Sequence, residues 1–269
     1  VTDTTYQRPE EPALGVGTIF TETFGLFFRR IHIFALLAFL PSVALEAFDF
    51  FVTQQLLQQL DVYGDPDAWA RNLYLYAALS VVSAFVGTSL AVAMVAQAAY
   101  DARLGHRARI GHYIASALRG IVPIVVLAVG LGVVLIAGFV LLIAPGLWLM
   151  GLWSLVNPAI VIERAGFRAV SRSHALTLGY RWPVVGALLL IYLMIALIGA
   201  VIAVPVVAML GIGTSGGPLS VLSFAEMGSS ILIGMVQFGL SGVCLALTYA
   251  RLREIKEGLP TETLEDVFG

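Results

Sequence analysis

From Ile121 to Ile143 the chain runs 23 residues without a charged or strongly polar side chain. In water such a run would have to be hidden whole. In lipid it satisfies its own backbone as a helix, and at about 1.5 Å per residue it reaches across a hydrocarbon core of about 30 Å. Five other runs approach the same length, Ile31–Phe51, Leu73–Ala99, Gly146–Ile162, Val184–Leu210 and Ser230–Tyr249. With 59% hydrophobic and 12% charged residues and a mean hydropathy of +0.93, the 269 residues carry more apolar surface than one soluble core hides. The expectation is an all-α integral membrane six-helix bundle. Its domains read as a polar tail (1–13), a membrane domain (14–253) and an acidic C-terminal tail (254–269). Ala144-Pro145-Gly146 predicts a reversal between the third and fourth spans, because proline lacks an amide donor and glycine permits a tight turn.

The basic residues give the bundle a direction. Arg8, Arg29 and Arg30 precede the first span, Arg103, Arg107, Arg109 and Arg119 separate the second and third, Arg164, Arg168, Arg172 and Arg181 the fourth and fifth, and Arg251, Arg253 and Lys256 follow the sixth. With six spans these share one side, leaving only Arg71 of the 15 Lys and Arg residues opposite. The positive-inside rule then places both termini in the cytoplasm of a bacterial inner membrane. The opposite loops, around Asp61, Asp65 and Asp67 and from Gly211 to Glu226, lack this bias. The opening through Glu11 lacks the basic-then-apolar order of a cleaved signal peptide, and none is expected.

Val16, Ile19, Phe20, Thr23, Phe24, Phe27 and Phe28 recur at helical spacing, as do Ile110, Tyr113, Ile114, Ala117 and Leu118, each stretch ending in arginine. Gly166 to Tyr180 is a third, blurred example. Three repeats follow, each an interfacial amphipathic helix and a transmembrane hairpin.

The candidate functional residues are polar groups where lipid or its head groups would be. Glu46 and Asp49 share a face of the first span, and Asn157 precedes Pro158 in the fourth, where a kink would expose backbone carbonyls. Together they motivate an alternative reading as a small transporter or channel, which requires a polar cavity joining them. Arg107, Arg109, Arg119, Arg164, Arg168 and Arg172 are candidates for anionic lipid head groups, each basic group near such a surface contributing about 1 kcal/mol. Gln97 and Gln237 read as interhelical hydrogen-bond partners, and Ser83, Gly87 and Ala91 as a stripe for close helix approach. Trp148, Trp153, Tyr180 and Trp182 read as interface anchors. Gly213-Thr214-Ser215-Gly216-Gly217 fits a serine hydrolase pattern, but His32, His106, His112 and His174 all map to the other side, so an intramembrane hydrolase ranks below the other readings. No catalytic, metal or cofactor site is assigned, and a pI near 6.1 gives no reason to expect nucleic acid. Cys244, the lone cysteine, falls inside the sixth span.

The stretch Pro145-Gly146-Leu147-Trp148, Asn157-Pro158 with Glu163 closing the span, and Ser171-Arg172-Ser173 leading to Gly179 and Trp182 resembles the membrane domain that accompanies some bacterial glycerophosphodiester phosphodiesterases, and related stand-alone multispan proteins. The detailed match covers about forty residues. It marks Pro145, Gly146, Pro158, Glu163, Arg172, Ser173, Gly179 and Trp182 as motif positions. In the fused enzymes the chemistry belongs to a separate soluble barrel, and nothing in this chain supplies its strand-helix alternation or catalytic clusters. The sequence therefore reads as a non-enzymatic membrane protein, structural, lipid-interacting or accessory, whose partners are anionic lipids and a membrane protein or a second copy of itself.

Overall fold

Residues 14–59, 66–211 and 221–258 are described by a computed structural model. Among them the chain is all-α, with no strand. The Gly213–Gly217 loop with Ser215, the acidic Asp61 and Asp65, and the two terminal tails up to residue 13 and from residue 259 lie outside the described residues.

The order is α1 (Val16–Arg29), α2 (Ile31–Gln59), α3 (Pro66–Arg103), α4 (Ile110–Arg119), α5 (Ile121–Leu141), α6 (Ile143–Trp153), α7 (Val156–Ile162), a 3-10 turn (Gly166–Arg168), α8 (Ala169–Thr177), α9 (Arg181–Gly211) and α10 (Val221–Glu257). Six stretches are long and apolar enough to cross a membrane: Ile31–Gln55, Ala70–Arg103, Ile121–Leu141, Ile143–Ile162, Arg181–Val206 and Ala225–Glu257. A short helix precedes each pair of them, as the threefold pattern predicts. α1 buries Ile19, Thr23 and Phe27, α4 buries Tyr113, Ser116 and Ala117, and α8 buries Ala169, Ser173, Leu176 and Thr177, each against the bundle.

Proline chemistry explains where the fourth run departs from expectation. The reversal falls at Leu142, extended at φ −164°, ψ 149°, not at Pro145-Gly146. Pro145 instead sits in the first turn of α6, where its missing amide costs no intrahelical bond. Gly146 is needed there for a different reason: a β-carbon would lie 2.5 Å from the Phe139 ring across the hairpin. The run then breaks between α6 and α7 at Ser154-Leu155, because Pro158 has no amide to return to the Ser154 carbonyl four residues back.

α10 is the hub, packing against α2, α3 and α9. The core gathers toward the basic end, where Phe34, Val95, Val184, Val243 and Leu252 are fully buried. Elsewhere large apolar side chains face outward, among them Val133, Leu193, Leu197 and Val201. Lipid covers such a surface without penalty, whereas water would charge about 25 cal/mol per Å² for it. The small-residue stripe packs internally: a β-carbon on Gly87 would lie 2.5 Å from Leu45, and Ala91 is fully buried beside Ala38.

Cys244 has no solvent exposure within the hub helix. A small maleimide is therefore expected to leave the folded protein unlabelled over a period in which the denatured chain reacts completely, as mass spectrometry would read. Fast labelling of the folded protein would contradict this packing.

Candidate functional site

Thirteen of the fourteen described Lys and Arg residues gather at one end, Arg71 being the exception. Two populations stand out among them by what they touch. The first is a paired cap. Glu163 ends the fourth run just beyond α7, and Arg172 projects from α8 to meet it with a two-pronged fork, Nε to Oε2 at 2.7 Å and Nη2 to Oε1 at 2.6 Å. The same Nη2 lies 2.5 Å from Glu257 Oε1 at the end of α10. Glu257 also accepts from Arg253 Nε at 2.9 Å, and Arg253 donates to the Tyr100 hydroxyl of α3 at 3.2 Å. Arg103 of α3 closes the cap on Glu254 at 2.9 Å. Four helices are thereby strapped together, and Ser173 adds a buried hydrogen bond to the Leu152 carbonyl at 2.6 Å.

Electrostatics follow from that geometry. Burial alone would raise the Glu163 carboxyl, but the hydrogen bond from Arg172 and the charges of Arg172 and Arg253 outweigh it and hold the group below its ordinary value. Arg172 is correspondingly raised, chiefly by its bond to Glu163. A carboxyl depressed in the folded state contributes stability above its unfolded pKa of about 4.3, and that contribution is lost as pH falls through the folded value. The thermal midpoint in detergent is thus expected to drop as the buffer is taken below about pH 4.3, and Glu163→Gln to flatten that part of the profile. An unchanged slope in the variant would show that Glu163 is not the linked group.

The second population is exposed. Arg107, Arg109, Arg119, Arg164 and Arg168 stand at the same end, and none of them pairs with a carboxylate among the described residues. Arg172, grouped with them by sequence, is committed to Glu163 and Glu257 instead. Arg119 and Arg164, from two different connections, line one pocket of about 210 Å³.

The other predicted residues lie apart. Glu46 and Asp49 sit half-buried on α2, close enough to Glu226 of α10 for its charge to act on Glu46. One oxygen of Asp49 is enclosed without a hydrogen-bond partner. Asn157 lines a separate cavity of about 190 Å³ between α3, α5, α6 and α9, with Ser89, Ser154 and Tyr192. Neither Glu46 nor Asp49 lines it. Gln97 meets the His112 ring of α4 at 3.3 Å. Among the motif positions, Gly179 takes φ 86°, which suits glycine at the turn into α9, and Trp182 is 61% exposed. Trp148 lies under the Arg181 guanidinium, 4.5 Å from the ring centre.

The sequence reading counts Arg253 only toward orientation and leaves Glu254 and Glu257 to a tail, so the cap they form goes unseen. The signal was present, since Arg251–Glu254 and Arg253–Glu257 have the i,i+3 and i,i+4 spacing that continues a helix.

Fold and site define a class: an all-helical membrane protein with an ion-paired cap and a set of exposed arginines at one end. No protein-family model, curated protein or solved structure matches the chain.

Proposed function

We propose that this is a non-enzymatic protein of a bacterial inner membrane, with its basic end and both termini in the cytoplasm, which holds anionic lipid at that end as a structural or accessory component. The observation that carries the reading is the division of the arginines. One group is consumed by carboxylates and fastens helices, while Arg107, Arg109, Arg119, Arg164 and Arg168 remain exposed without an acidic partner among the described residues. Guanidinium groups beside a hydrocarbon boundary meet phosphate head groups there, each worth about 1 kcal/mol. The likeness to the phosphodiesterase-associated membrane domain fits a role without chemistry of its own, since its motif residues Glu163, Arg172 and Ser173 are spent on packing.

The test is the lipid that accompanies the protein out of the membrane. Extracted gently and washed in uncharged detergent, it is expected to carry anionic phospholipid several-fold enriched over the parent membrane, and to release it in high salt. Co-purified lipid with the bulk composition would sink the reading.

A further inference from the structure

We propose that the pocket between the α4–α5 corner and the loop after α7 binds a phosphate group, and that the group belongs to a membrane phospholipid. This rests on the reading just given and assigns it a place. Ser116 and Arg119 come from the end of α4, Gly120 and Pro123 from the start of α5, Ile160 from α7 and Arg164 from the loop beyond. Among the described residues no carboxylate lines the pocket. Two guanidinium groups without a counter-charge repel one another until an anion joins them, and their planar forks suit phosphate oxygens.

The backbone is built to bring Arg164 there. It is the one described non-glycine residue with positive φ, at 54°, and Gly166 follows at 55°. A left-handed arginine is strained and persists only where its surroundings fix it. What fixes it is the C-terminal cap of α7: the Ala165 amide reaches back to the Ala159 carbonyl at 3.3 Å, with Arg164 as the left-handed residue of the turn. The first turn of α5 contributes the positive end of a 21-residue helix dipole. Pro123 and Ile160 give the pocket an apolar wall, and Val122 and Val126 of α5 are exposed beside it at 61% and 53%. A soluble phosphate has no use for that wall, whereas the glycerol and acyl parts of a lipid do.

Native mass spectrometry of the whole protein tests this, with phosphatidylglycerol, phosphatidylcholine or glycerol 3-phosphate as probe. Arg119→Gln with Arg164→Asn removes both charges while asparagine tolerates the left-handed backbone, and a thermal melt confirms that the variant is folded. The wild type is expected to retain one phosphatidylglycerol to the highest collision energy, the double variant to lose it at least tenfold more readily, and Arg71→Gln, at the opposite end, to behave as wild type. Retention by the double variant as firmly as by the wild type would overturn the pocket but leave the broader reading standing. A wild type that retains no anionic lipid would overturn both. Glycerol 3-phosphate bound through the same two arginines, without phosphatidylglycerol, would overturn the lipid source.

Discussion

Gly242→Leu is expected to yield no folded protein, and Gly242→Ala to lower the thermal midpoint in detergent by about 5–10 °C, for a cost of about 2–3 kcal/mol. A β-carbon at 242 would lie 2.7 Å from the Val95 Cβ and Cγ1 and 3.3 Å from the Ala96 amide nitrogen. Val95 is fully buried and β-branched, so its Cβ cannot swing aside, and a backbone nitrogen cannot move without its helix. The close crossing of α3 and α10 would have to open. Gly130 is the matched control, because a β-carbon there meets nothing within 4 Å. Gly130→Ala should leave the midpoint unchanged or raise it slightly through helix propensity. Equal effects at the two glycines would show that the crossing is looser than described.

Arg172→Ala is expected to destabilise the protein by about 2–3 kcal/mol. That lies between the roughly 0–1 kcal/mol of an exposed pair and the roughly 3–5 kcal/mol of a broken buried one. The side chains of Arg172 and Glu163 are 26% and 22% exposed, the contact is two-pronged, and removal of the guanidinium leaves Glu163 without its fork and Glu257 with Arg253 alone. Arg172→Lys should recover only part of the loss, since an ammonium cannot reproduce the fork. Hydrogen exchange would locate the damage: faster exchange in the last turns of α10 and in α8, with α2 unaffected. Because the three groups share one network, Arg172→Ala combined with Glu257→Gln should cost less than the sum of the two changes. Strict additivity would argue that the contacts to Glu257 contribute nothing in solution.

Much of this architecture is legible in the sequence because lipid imposes a one-dimensional rule. A run such as Ile121–Leu141 has nowhere to go but a helix in an apolar surround, and the arginine-bearing stretches before each pair of runs announce α1 and α4 and, less sharply, α8. What the sequence conceals is convergence. Nothing local says that Arg172 meets Glu257, eighty-five residues later, or that Arg119 and Arg164 line one pocket, since both depend on how α7 and α10 pack. The same limit misplaced the reversal: Pro145 and Gly146 carry the chemistry of a turn, yet their positions in α6 serve a first helical turn and a close approach to Phe139. Glu46 and Asp49 were conspicuous for the cost of charge in lipid, but cost alone does not locate a cavity.

The most direct test of the claim that the basic end holds anionic lipid is a thermal melt of the purified protein in uncharged detergent, titrated with phosphatidylglycerol or phosphatidylcholine at low and high salt. The account predicts that phosphatidylglycerol raises the midpoint by several degrees, that the rise shrinks as salt screens the arginines, and that phosphatidylcholine leaves it where it was. Equal shifts from the two lipids, or a rise indifferent to salt, would contradict it.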